Sequence, residues 1–285
     1  MNSASIQELI TQHTQLRAPP SVLPVLLEAL ADEEIEYDEL GEAIEQFPSI
    51  AARLLSVANS AWSAPRVEIT SVDRACAHLG LTLTRNISIA LAVSMPFDLM
   101  RCPLFDPGRY WCSAFLVADG AERLARRCES ATRIEPRTMH TAGLLHNLGL
   151  LWLADRLPQD LTHVFELVSA DDTLTVNEAL HRICATDIGE VGGCLARAWS
   201  LPGILATAIA HYCAIDYAGE DWAAPAMIGN AADMASALQD GLDCPAEAPP
   251  LDRLGISLID RQEIFETMQS EFDRIREVAN SLGRF

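Results

Sequence analysis

The apolar residues of this chain recur at three- and four-residue intervals in segment after segment, and nowhere do they alternate singly as a half-buried strand requires. That interval lines one face of a helix, so the chain is predicted to be all-α, a multi-helix fold. Ser5 and Glu8 form a capping box over Ile6, Leu9, Ile10 and His13, and Ala18-Pro19-Pro20-Ser21 closes that first helix. A second is expected from Pro24 to Leu30. Asp38 is placed as the cap of a third carrying Leu40, Ile44 and Phe47, and Pro48 suits the first turn of a fourth through Ile50, Leu54, Leu55 and Ala58. Ser71 caps a fifth with Val72, Ala75, Cys76 and Leu79, and Gly80 is its left-handed stop.

The helical pattern continues over Tyr110 to Arg127, Arg137 to Asp155, Val176 to Cys184, Gly189 to Trp199, Pro202 to Tyr212 and Met227 to Leu238. Asp260 and Glu263 are read as the cap of a last helix. Its Ile264, Met268, Phe272, Ile275, Ala279 and Leu282 make one stripe, read as a core contact in preference to a docking face for a partner helix. Pro103 to Gly108 has the composition of a linker, and Asp240 to Pro250 is an acidic, proline-containing loop.

Charge removes several functions. The chain has 20 basic and 40 acidic residues, a formal net charge of −20, where a non-specific nucleic-acid or anionic-membrane binder needs the opposite balance. No nucleic acid and no membrane are expected as partners. All 20 basic residues are arginine, so Schiff-base and P-loop lysine chemistry is absent. The first residues carry no basic and apolar signal pattern, and the apolar stretches at Ile87 to Phe97 and Ala142 to Ala154 are shorter than a membrane span, so a cytoplasmic location is expected. Eight cysteines without a C-x-x-C pair read as small buried side chains, not as a disulfide frame or a zinc ribbon.

Several segments carry a resemblance. They are Leu23-Pro24-x-Leu26-Leu27, Ile50-Ala51-Ala52-Arg53-Leu54-Leu55 with Ala58-Asn59-Ser60-Ala61, and Ile69-x-Ser71-Val72-x-x-Ala75-x-x-x-Leu79-Gly80. Downstream come Ala142-Gly143-Leu144-Leu145-His146-Asn147-Leu148-Gly149, Glu190-Val191-Gly192, and Trp199-x-Leu201-Pro202. Together, over Ala18 to Leu238, the chain resembles an HDOD domain. The resemblance implies an all-helical bacterial module related to HD-superfamily phosphohydrolases, found in signalling proteins and considered non-catalytic. It implies an N-terminal helical subdomain over residues 1–102, packed on an HD-like helical bundle over 103–240. Residues 241–285 then supply a C-terminal loop and a helix on the bundle.

The same resemblance places the degenerate metal-site positions of an HD hydrolase at Cys112, at the pair His146-Asn147 and at Asp233, with Ile188 and His211-Tyr212 where further histidines are often seen. An amide at 147 keeps the size of a carboxylate and loses the charge that hard cations require. No metal, no cofactor and no catalytic residue are therefore expected. His146 is read as a buried, hydrogen-bonded core histidine, Cys112 as a small core residue, and Arg123, Arg126 and Arg127 as a solvated face paired with acids. Gly192-Gly193 is read as a close helix contact, and His211 with Cys213 as no catalytic pair.

The expected function is a regulatory module that acts through a protein partner, a response regulator or a second-messenger enzyme. The alternative is a metal-dependent HD-type phosphohydrolase acting on a nucleotide or cyclic dinucleotide. A third expectation keeps the cavity as a sensor of a small anion.

Overall fold

The computed structural model describes residues 35–60, 62–128, 134–171, 173–214, 216–246 and 251–283. The helices expected at Ser5 to His13 and Pro24 to Leu30, the Leu23 to Leu27 motif and Ala61 lie outside them. Among the described residues there is no strand.

Helix α1 (Tyr37–Glu45) starts one residue before Asp38, because Glu36 and Glu39 close a reciprocal capping box at its first turn. Helix α2 (Pro48–Ala58) has Pro48 in its first turn, as expected. Asn59 then fastens the following loop, donating through Nδ2 to Ile69 O at 2.7 Å and accepting from Ile69 N at 2.8 Å. Those two bonds give the asparagine of the N-S-A segment a structural role. Helix α3 (Val72–Leu79) ends at Gly80, whose φ of +84° is positive but whose ψ of 155° is not that of a left-handed helix; the chain turns there directly into α4 (Leu81–Ser94).

The sequence pattern did not reveal α4, and the reason is its burial: every residue from Thr84 to Val93 is covered. A helix buried all round has no polar stripe to betray its period. From its end a connection with a short 3-10 turn, Leu99–Arg101, leads to the bundle. Asp155, buried with 1% exposure, holds that connection. It accepts from Asp98 N at 3.3 Å, receives Arg101 Nη1 on its backbone carbonyl at 2.6 Å, and pairs with Arg156 Nε at 3.0 Å.

The bundle is built on α5 (Pro107–Arg127), opened by Asp106 accepting from Arg109 N at 3.0 Å. Against it lie α6 (Pro136–Leu145), α12 (Ala223–Asp240) and α14 (Leu258–Gly283). Helices α7 (Leu148–Arg156) and α8 (Pro158–Ala170) follow α6, and α9 (Val176–Cys184) packs on α8. Helix α10 (Ile188–Ala198) lies between α7 and α11 (Gly203–His211). It meets α11 at the paired glycines, where a Cβ on Gly193 would fall 2.4 Å from Ala210 Cβ and one on Gly192 2.8 Å from Ile209 Cγ2. The segment expected as one helix from Arg137 to Asp155 is two, α6 and α7. The cause is tertiary: a Cβ on Gly149 would lie 2.1 Å from Ile188 O, so the chain must break to seat α7 against α10.

A single turn, α13 (Leu251–Leu254), precedes α14. The cap of α14 is Ser257 with Asp260, not Asp260 with Glu263: Ser257 Oγ accepts from Asp260 N at 3.1 Å and Asp260 Oδ2 accepts from Ser257 N at 3.1 Å. Asp260 and Glu263 turn instead to Arg127 of α5, Glu263 at 2.9 Å. Along α14 the buried residues are Arg261, Ile264, Phe265 and Met268, then Val278, Ala279 and Leu282. A fully buried aliphatic or aromatic side chain of this kind contributes roughly 1.5–3 kcal/mol, whereas an exposed ion pair contributes roughly 0–1 kcal/mol, so the stripe and not Arg127 holds α14 in place.

Candidate functional site

Helix α6 delivers the His146-Asn147 pair. Glu135 caps it, accepting from Arg137 N at 2.8 Å and Thr138 N at 2.6 Å, and Pro136 occupies its first turn. Gly143 sets its depth, because a Cβ there would lie 2.7 Å from Ala118 Cα and Val117 O on α5. The helix therefore stops at His146 pressed against α5, and Asn147 opens α7.

His146 is 1% exposed. Its Nδ1 lies 2.7 Å from Gly143 O, a carbonyl that can only accept, so Nδ1 carries the ring proton and Nε2 a bare lone pair. Burial pushes its pKa down to about 4, against the pull of that carbonyl, and the ring is neutral at pH 7. Tyr212 stands edge-on to it with ring centroids 5.2 Å apart and donates its hydroxyl to Asn147 Oδ1 at 2.8 Å. The residues at 147 and 212 thus satisfy one another.

The other two expected positions stand on other helices. Cys112 is buried on α5, and burial pushes its thiol up to about 11; the opposing charges come from Arg276 of α14 and from Arg109. Asp233 is exposed on α12, where desolvation raises its carboxyl and the Arg261 guanidinium pulls it back. Ile188 is buried, and its N–H donates to Asn177 Oδ1 at 3.1 Å.

This donor set does not fit a divalent ion. One imidazole nitrogen remains, the amide oxygen is taken, the thiol is protonated and the aspartate faces an arginine. Among the described residues no three His, Cys, Asp or Glu side chains come together in a group that could hold a metal ion. His211 stacks on Tyr217 at 4.1 Å while Cys213 receives Asn177 Nδ2 at 3.0 Å, so they form no dyad. The arginine cluster is paired with acids: Arg123 with Asp119 at 2.7 Å, Arg126 with Glu122 at 2.5 Å, and Arg127 with Asp260 and Glu263.

A second polar cluster was missed by the sequence reading. His140, one and a half turns before His146, has Nδ1 2.8 Å from Glu122 Oε2 and Nε2 2.7 Å from Asn86 Oδ1. Burial raises the Glu122 carboxyl, but the hydrogen bonds from His140 and Arg126 outweigh it and bring the pKa down to about 2. The cluster joins α4, α5 and α6. Its only signal in the sequence is Arg85-Asn86, two polar residues at the head of an apolar run.

A sequence model of the HDOD domain matches residues 16–215. No match is found among curated proteins. Solved structures with the same fold include a proposed signal transduction protein of Marinobacter aquaeolei, 22% identical with a TM-score of 0.79, covering 95% of this chain and 60% of its own. An HDOD domain protein of Geobacter sulfurreducens is 23% identical with a TM-score of 0.70, each chain covered in full. A proposed phosphohydrolase of Shewanella amazonensis is 22% identical with a TM-score of 0.67, covering 96% of this chain and 97% of its own. The chain thus spans 60% of the length of the Marinobacter protein, and at these identities the likeness is one of fold.

Proposed function

The chain belongs to the HDOD domain family, and from that premise we propose that it is a non-catalytic regulatory module that acts by binding another protein of a signalling system. What carries the reading is the donor set of the site: Tyr212 holds Asn147 Oδ1 and the carbonyl of its own helix holds His146 Nδ1, which leaves a single imidazole nitrogen, Nε2, to meet a ligand. The Marinobacter neighbour, described as a signal transduction protein, fits the same role.

The partner is a response regulator or a second-messenger enzyme. With a net charge of −20 the chain attracts a basic surface at long range, and association should weaken as salt rises. The test is copurification from the native cell with the full chain as bait, together with metal analysis of the purified protein. Specific recovery of such a signalling protein, lost at high salt, is the expected result. Iron, manganese or zinc near one per chain with hydrolysis of a cyclic dinucleotide would overturn it, in favour of the activity proposed for the Shewanella neighbour.

A further inference from the structure

Helix α14 buries a cation. Arg261 is 1% exposed, on the stripe that carries Ile264, Phe265 and Met268, and is among the largest side chains that the fold covers completely. Its Nη1 donates to Pro245 O, in the loop between α12 and α13. Among the described residues, Nε and Nη2 have no hydrogen-bond partner, and no carboxylate makes an ion pair with the guanidinium. The acids beside it in the chain are committed elsewhere: Asp260 and Glu263 both hold Arg127 of α5. Asp233 of α12 feels its charge without bonding to it. Nearer the surface Arg109, Arg123, Arg126 and Arg127 each have an acid, so Arg261 stands apart from them.

A guanidinium keeps its charge inside a protein, and burying it unpaired is costly, so its free donors call for an acceptor. The free donors are neighbours on one edge of the plane. Nε–H and Nη2–H point the same way and form the fork that takes two oxygens of a carboxylate or a phosphate, while Nη1, outside that fork, is the nitrogen taken by Pro245. We propose that Arg261 is the binding group of a small oxyanion, a phosphate or a carboxylate, seated against Nε and Nη2 beneath the loop at 241–246. That loop has no helix and no buried residue, so it can part from Arg261 without disturbing the core. The site is on a different helix from His146 and Asn147, and it stands whether or not the protein-binding reading does.

Inorganic phosphate and acetate, titrated separately into the full chain against chloride at constant ionic strength, provide the test. At least one should raise the melting temperature, by about 2 °C or more at about ten times its dissociation constant, and the larger shift tells phosphate from carboxylate. Arg261→Lys keeps the charge and loses the fork, so most of the shift should vanish; Asp233→Asn should retain it. No shift with either anion would overturn the proposal, as would an equal shift in Arg261→Lys. So would a shift that appears only in Asp233→Asn, because Asp233 would then be what fills the fork. Since Arg261→Lys can fail to fold, crystals of the unaltered chain grown with selenate, a phosphate analogue located by its anomalous scattering, are the companion measurement. Selenium beside Nε and Nη2 is the expected result. A fork filled by water or by Asp233, with selenate elsewhere as an adventitious ion only, would sink the assignment.

Discussion

Helix α6 carries one histidine at its middle and another at its C-cap, and the fold treats them in opposite ways. His140 lies in a charged and amide-lined seam, held by Glu122 and Asn86 from two other helices. His146, in the segment that resembles a metal centre, is buried and bonded to its own helix, with an aromatic edge for a neighbour. The motif-bearing histidine is handled as a core residue, and the one outside any motif is tied into a network that joins helices far apart in the sequence. A residue inside a recognisable motif can thus serve the packing of the core.

The change with the largest expected effect tests whether α6 is seated as described. Gly143→Ala places a methyl against the backbone of Ala118 and Val117, which cannot swing aside, so urea unfolding should show a loss of about 3 kcal/mol or more. An unchanged midpoint would mean that both histidines occupy other surroundings.

Acid separates the two surroundings next. His146 titrates near 4 in the folded chain and near 6.5 when unfolded, so between those values the unfolded state takes up a proton that the folded state refuses. Stability should fall as pH drops from 6.5 toward 4, by about 3 kcal/mol in all. Glu122 is lowered from 4.5 to about 2, so the stability it contributes is present above pH 4.5 and is lost as pH falls toward 2. The upper part of the acid limb thus reports His146 and the lower part Glu122. His146→Gln should flatten the limb between pH 6.5 and 4.5 in chemical unfolding; a limb of the same slope in both proteins would refute the assignment.

The smallest effect belongs to the seal itself. Tyr212→Phe leaves Asn147 Oδ1 without its donor and should cost about 1 kcal/mol, a melting shift of about 2 °C by calorimetry. No shift at all would mean that water replaces the hydroxyl at no cost.

Local chemistry was legible from the sequence and long-range geometry was not. Pro48 and Ser71 mark the starts of α2 and α3, because a helix start is set by residues within one turn of it. Helix α4 escaped because burial on every side erases the period, and the break between α6 and α7 escaped because it answers to Ile188, some forty residues on. His146 and Asn147 could be named from their own segment. The hydroxyl that occupies Asn147 comes from 65 positions later, and the seam at His140 draws on Asn86, 54 positions earlier; no pattern along the chain connects them.

The recognisable family segment stops at residue 215, yet α12 and α14, which come after it, cover the flanks of α5. A fragment trimmed to that segment for expression would leave the greasy sides of a 21-residue helix bare to water. Such a fragment should clump and precipitate, and anyone cloning this protein would do well to carry the chain through to Gly283.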